Sequence, residues 1–318
     1  MTIEKRRLGN TDIEVTPIGL GVMQFSGGKG LYGKIFPVLS GEEKTAIVKA
    51  ALDGGVNWFD TAELYGFGTS ERGLSASLSA LGVGNGDVVI GTKWLPLFRG
   101  AGNIPKSIHD RVRYLNGYGI DLYMVHQPWS FSTVEAQMEA MADLVEAGLV
   151  RSVGVSNFNA DRMRRAHAAL AVRGLPLAVN QMEYSLLNRR IETNGVLAAA
   201  KELGVTISAY TPLGYGLLTG KYHRDPELFG QTRRGFLLKR KFASSRPIVA
   251  ALEEIGKKYE ATPGQVALNW LIHFQGETVV AIPGATRVEH ARESAGAMSF
   301  RLSEEEMNRL DELSRSFL

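Results

Sequence analysis

Cysteine is absent from the 318-residue chain, which excludes disulfides, thiol nucleophiles and thiolate metal sites together. No apolar run approaches the roughly 18 residues of a membrane-spanning helix, so no membrane insertion is expected. The opening MTIEKRRLGN has no apolar core of the kind a signal peptide needs, and the expected location is the cytoplasm. Neither sign of charge dominates. The 36 basic and 33 acidic residues leave a net +3, too small and too scattered to predict nucleic-acid binding. The histidines, at positions 109, 126, 167, 223, 273 and 290, show no H-E-x-x-H or similar ligand spacing, so no metal centre is expected. A G-x-G-x-x-G fingerprint is missing too. Its nearest approach, Gly214-Tyr215-Gly216, has Thr219 where the third glycine would stand, which leaves a Rossmann dinucleotide site unsupported.

What the chain does have is an alternation of two patterns. Eight short apolar runs recur: IGLGV (18–22), VNWFD (56–60), VVIGTK (88–93), LYMVH (122–126), SVGVS (152–156), LAVNQ (177–181), TISAY (206–210) and TVVAI (278–282). Runs this short, rich in Val and Ile and without strict alternation, predict parallel strands buried on both faces. Between them lie segments that begin with helix-capping chemistry: Ser40 with Glu43, Ser132 with Glu135, Thr262 with Gln265, and Ser303 with Glu306. Pro263 stands at a first helical position, and glycines at 54–55, 148 and 204 close the helices before strands two, five and seven. Eight strands with helices between them predict an α/β fold, a (β/α)8 barrel formed by residues 1–318 as a single domain. Residues 3–15 read as an N-terminal β-hairpin turning at Gly9-Asn10 across the barrel floor. The segment LSEEEMNRLDELSR reads as an extra C-terminal helix on the outside. Two long loops, 24–39 and 215–246, leave the carboxyl ends of strands one and seven, on the rim where barrel enzymes carry their sites.

The residues that close the strands are the informative ones. Strand two ends in Asp60, three in Lys93, four in His126, five in Ser156-Asn157, six in Gln181 and seven in Tyr210-Thr211. Each alone has a plainer explanation: Asp60 a turn cap, Lys93 an amine reaching water along an apolar stem, His126 a satisfied loop histidine, Tyr65 ordinary packing. Together, on one rim, they suggest proton donation to a carbonyl. A tyrosine with its ordinary pKa of about 10 is a weak acid at neutral pH. A neighbouring lysine lowers that value, a carboxylate keeps the lysine charged, and a histidine adds a hydrogen bond to the substrate oxygen or passes on its proton. These groups supply acid and orientation but no electrons, so a hydride-carrying cofactor is implied.

On these residues the chain resembles the aldo-keto reductases, in the branch that includes potassium-channel auxiliary subunits. The resemblance runs in order through IGLGVM, NWFDTAELYG, VVIGTKW, DLYMVHQP, VRSVGVSNFN, VNQMEYSLL, AYTPLGYGLLTGK and VAIPGATRVEHARES. It implies a (β/α)8 barrel and a catalytic tetrad of Asp60, Tyr65, Lys93 and His126, with Tyr65 the general acid. It also implies an extended NADP(H), with NAD(H) the lesser expectation, contacting Gly21, Met23 and Asp60. Ser156, Asn157 and Gln181 would hold its carboxamide, and Tyr210 would stack on the nicotinamide. Thr211, Pro212, Leu213, Gly214, Leu217, Gly220 and Lys221 would run beside the pyrophosphate, with Arg233 or Arg234 reaching over it unless the basic run of that loop is simply a solvated face. Ile282, Gly284, Arg287, His290, Glu293 and Ser294 would take the adenosine end. Arg287 is the expected partner of a 2′-phosphate, because its fork suits phosphate oxygens. Many relatives carry lysine at the position of Gly284, arginine or glutamine at that of His290, and asparagine at that of Ser294.

Trp94, Trp129 and Tyr32, with Met23, Phe36 and Phe67, are expected around an apolar pocket for a small aromatic or aliphatic carbonyl compound, while Trp58 reads as core. Two rivals stand beside this reading. One is a phosphosugar isomerase or lyase with Lys93 as Schiff base. The other is a cofactor-binding, redox-sensing auxiliary subunit with little turnover.

Overall fold

The computed structural model describes residues 3–33, 36–230 and 235–318. Strands β1 (Arg6–Arg7) and β2 (Glu14–Val15) pair antiparallel. The eight strands that follow are β3 (Leu20–Gly21), β4 (Trp58–Asp60), β5 (Val89–Trp94), β6 (Leu122–Val125), β7 (Ser152–Ser156), β8 (Leu177–Glu183), β9 (Thr206–Tyr210) and β10 (Val279–Ala281). All pair parallel, each with its neighbour in the chain. Bridges Ile18↔Ala281 and Gly21↔Gly284 join the last strand to the first and close the ring. Each of the eight apolar runs carries one strand, with β5 and β8 extending past theirs to Trp94 and Glu183. The first, IGLGV, is mostly irregular because Ile18 and Gly19 pair across the closure rather than along a ladder.

Helices alternate with these strands: α1 (Gly41–Asp53), α2 (Thr69–Ala80), α3 (Ile104–Leu115), α4 (Val134–Glu146), α5 (Ala160–Val172) and α6 (Val196–Leu203). After β9 come α7 (Gly235–Lys258) and α8 (Pro263–Phe274); α9 (Val288–Gly296) and α10 (Glu304–Ser314) follow β10. Three of the four expected capping boxes are complete, at Ser40, Thr262 and Ser303. The fourth is not. Thr133, not Ser132, caps α4 by accepting from the Ala136 N–H at 3.2 Å, and Glu135 is instead held by both its oxygens to Arg165. Ser132 accepts from the Ala101 N–H at 2.8 Å and ties the preceding loop down.

The expected loop 215–246 is also corrected. It contains helical turns at Gly214–Thr219, Lys221–Arg224 and Pro226–Gly230, and from residue 235 it is already α7, which continues through Pro247. No helix among the described residues is long and apolar enough to cross a membrane.

The hairpin closes the floor as expected. Leu8, Ile13 and Val15 pack up into the barrel against Trp58, Leu122, Met124, Val179 and Val280. Gly9 permits this approach: its φ is +56°, and a Cβ there would lie 2.6 Å from the Ala178 carbonyl oxygen. Trp58 donates from its indole to the Thr16 carbonyl, a core residue as read. Alternation along each strand then builds the site. Trp58 faces inward, so Asp60 does; Leu122 and Met124 face inward, and His126 continues their row. Apolar side chains dominate the lower barrel, and Asp60, Lys93 and His126 stand above them at the rim.

Candidate active site

Lys93 is fully buried beneath the rim. Its Nζ donates to Asp60 Oδ2 at 2.6 Å and to the Thr61 carbonyl at 2.8 Å. It stands 5.0 Å from the centre of the Tyr65 ring. Burial lowers the lysine pKa, and the Asp60 carboxylate raises it back toward its ordinary value. The other Asp60 oxygen accepts from Gln181 Nε2 at 2.9 Å, so the carboxylate is fixed from both sides. Tyr65 meets His126 edge-on, with ring centres 5.7 Å apart. Burial, and then the charge of Lys93, hold the His126 imidazole well below its ordinary pKa, which leaves it neutral at pH 7. Its Nδ1 is buried with no hydrogen-bond partner among the described residues. The four predicted catalytic side chains are therefore together.

Beside them Ser156 donates to the Gln181 carbonyl at 3.0 Å, and Asn157 Nδ2 donates to Ser156 Oγ at 3.0 Å. The Tyr210 hydroxyl donates to Asn157 Oδ1 at 2.9 Å. Asn157, Thr211 and Tyr215 all adopt positive φ, at +62°, +53° and +59°. A left-handed backbone at a non-glycine residue costs on the order of 1–3 kcal/mol, and such residues concentrate where a site demands them.

These residues open on a cavity of about 520 Å³. Of the predicted residues, Gly21, Met23, Asp60, Tyr65, His126, Ser156, Asn157, Gln181, Tyr210, Thr211, Pro212, Leu213, Lys221, Ile282, Gly284, His290, Glu293 and Ser294 line it. Gly214, Gly220 and Leu217 do not, and Leu217 points into the core. The left-handed pair Tyr215 and Gly216 breaks the helical turn there, so Tyr215, Gly216 and Thr219 reach the cavity in their place.

Arg287 stands exposed beside the wall, its guanidinium 3.0 Å from His290 Nε2. Burial and the charges of Arg287 and Lys221 lower the His290 pKa. Among the described residues, neither Lys221 nor Arg287 has a carboxylate within ion-pair distance. Two uncompensated cations near one end of a long cavity suit phosphate groups, so the residues present fit a dinucleotide. The glycine at 284 also has a local reason. Gln24 lays its amide over it, where a Cβ would overlap the side chain.

Trp94 is corrected. It follows the inward Lys93 on β5, so it faces outward, fully buried, and donates to Asn103 Oδ1 at 3.0 Å. Trp129 is 61% exposed on the rim and does not line the cavity, whereas Phe36 does. Arg233, Arg234 and the Tyr32 side chain lie outside the described residues. The sequence reading missed Gln24, Leu64, Gln127 and Thr286 on the wall. Each follows a strand end or a predicted site residue by a few positions, and that adjacency was the available signal. Among the described residues no group of three or more His, Asp or Glu side chains is arranged to hold a metal ion.

Comparison with known proteins agrees with this geometry. The family model described as Aldo/keto reductase family matches residues 17–315. An aldo-keto reductase of Strobilurus tenacellus is 35% identical over 96% of this chain and 90% of its own length. One of Schizosaccharomyces pombe, whose name carries NADP(+), is 32% identical over 96% of this chain and 89% of its own. Among solved structures, the thermostable aldo-keto reductase Tm1743 in complex with the inhibitor epalrestat superposes with a TM-score of 0.77. It is 32% identical over 98% of this chain and 100% of its own. The barrel, the rim and these likenesses agree that the chain belongs to the aldo/keto reductase family of oxidoreductases.

Proposed function

We propose that the protein reduces aldehydes or ketones to alcohols with NADPH, and that Tyr65 is the acid that protonates the carbonyl oxygen. The carrying observation is the buried Lys93–Asp60 pair at 2.6 Å, its ammonium 5.0 Å from the Tyr65 ring. A charged lysine held there favours the tyrosinate and so makes Tyr65 a stronger acid. His126, kept neutral, donates one hydrogen bond to the substrate oxygen and orients it, but it does not carry the transferred proton. NADPH, when bound, supplies the hydride to the carbonyl carbon. Ser156, Asn157 and Gln181 would hold its carboxamide, Tyr210 would stack on the nicotinamide, and Lys221 and Arg287 would face its phosphates. Support for NADP comes from those uncompensated cations and from the name of the Schizosaccharomyces pombe relative.

The test is oxidation of NADPH, and separately of NADH, with nitrobenzaldehyde. Tyr65→Phe should lower kcat by about 10²- to 10⁴-fold, the usual loss for a removed general acid, with NADPH affinity in a fluorescence titration nearly unchanged. A variant with full kcat would refute the role given to Tyr65. Cofactor binding without turnover by the unmodified protein would favour the auxiliary-subunit reading instead.

A further inference from the structure

Behind Tyr65 and Lys93, between α2, α3 and the outer face of the sheet, lies a charged cluster that the proposed reaction does not touch. Glu63, Glu71 and Arg111 are all buried. The Thr92 hydroxyl of β5 donates to Glu71 Oε1 at 2.7 Å, and Arg111 Nε lies 3.2 Å from the same oxygen. Arg111 NH1 is 3.8 Å from Glu63 Oε1, which also accepts from Arg99 at 2.7 Å. The second Glu63 oxygen accepts from the Leu95 N–H at 3.0 Å, and the Glu63 N–H donates to the Lys93 carbonyl at 3.1 Å. Arg72 on the same helix and Tyr123 of β6 are further ionisable groups that face Glu71.

The position of the cluster in the chain is what gives it meaning. Glu63 stands midway between Asp60 and Tyr65, and Thr92 and Leu95 bracket Lys93. The guanidinium thus lies as counter-ion between Glu63, on the segment that carries the acid, and Glu71, which accepts from Thr92 of the strand that carries the ammonium.

As a device for stability alone the cluster is a weak one. Taking charges out of water is costly, and well-packed apolar side chains often serve as well. Its compensation is incomplete. Glu71 Oε2 and two Arg111 nitrogens have no hydrogen-bond partner among the described residues. Burial lifts the Glu71 carboxyl to about 7 despite the pull of Arg111 and Thr92.

We propose that Arg111, acting through Glu63 and Glu71, is a positioning residue that fixes the Tyr65 hydroxyl against the Lys93 ammonium. The inference rests on the roles given to Tyr65 and Lys93 above. Neither Arg111 nor its two partners lines the cavity, so their loss should leave ligand contacts intact.

Two variants test it. Arg111→Lys keeps the charge but not the fork that reaches both carboxylates. The double variant Arg111→Met/Glu71→Gln removes the cation together with the carboxyl nearest to it, so Glu71 is not left buried against an apolar side chain. In both, kcat should fall about 10- to 100-fold, the order expected when reacting groups are displaced by an ångström or less. The KM for nitrobenzaldehyde and the NADPH dissociation constant should stay within about twofold, because the binding walls are untouched. The alkaline decline of kcat should also move to higher pH, because a Tyr65 less well placed against Lys93 loses its proton only at higher pH. A lowered melting temperature with kcat and pH profile unchanged in either folded variant would make the cluster merely structural and overturn the proposal. If the unmodified protein fails to turn over, the functional reading falls first, a separate outcome from an active protein whose variants match it.

Discussion

At the scale of single residues, Arg287 carries the sharpest prediction. Its guanidinium is exposed, touches only the neutral-leaning ring of His290 among charged or titratable neighbours, and has no carboxylate within ion-pair distance among the described residues. A charged hydrogen bond to a 2′-phosphate contributes about 1.5–3 kcal/mol. Arg287→Ala should therefore weaken NADPH binding by roughly tenfold or more and NADH binding by less than about twofold. Fluorescence titration with both dinucleotides reads this directly, and equal losses would remove the case for NADP. The gathering of these four side chains at the rim was legible because Asp60, Lys93 and His126 stand at or beside strand ends and Tyr65 follows one of them closely. Trp94 was misread although the same strand held the correction, since a residue next to the inward Lys93 must face outward. Glu63, Glu71 and Arg111 were illegible for a different reason. In the sequence they are ordinary helix and loop charges, and only the fold puts three of them in one dry space.

At the scale of the element, the four helix starts marked by capping chemistry were legible to within one residue, and that residue matters at α4. The reading chose Ser132 because Glu135 follows it at capping-box spacing, but Glu135 is spent on Arg165 and the cap falls to Thr133. Replacing Thr133 by Ala should cost about 0.5–2 kcal/mol, as for other lost N-caps. Glu135→Ala should cost less, because an exposed pair contributes only about 0.2–1 kcal/mol. Urea unfolding of the two variants decides between the caps: a loss in Glu135→Ala with none in Thr133→Ala would restore the expected box. The α7 error has another cause. Glycine, arginine and lysine between 230 and 241 look like loop, and Pro247 looks like a helix start, yet α7 begins at Gly235 and runs on through that proline. Packing of its apolar side chains, among them Ile248 and Leu252, into the core overrides the local signal.

At the scale of the whole molecule, the order of eight strands was readable from spacing alone, but the manner of closure was not. β3 is two residues long, and it meets β10 through isolated bridges, with Gly19 N–H donating to the Ala281 carbonyl and Gly21 N–H to that of Pro283. By contrast β7 and β8 pair over a longer ladder that includes Val155 and Asn180. Amide hydrogens of Gly19 and Gly21 should exchange faster than those of Val155 and Asn180, since sparse pairing opens at lower free energy. Mass-resolved exchange would measure this, and uniform protection around the ring would refute it. The cavity lies across that joint, with Gly21 and Met23 on one side and Ile282 and Gly284 on the other. The barrel is thus a hoop with one light clasp, and whatever fills the channel is a rivet through both ends of the metal. Losing the rivet should leave the hoop to spring first at its clasp, so a filled channel should raise the temperature at which the barrel opens.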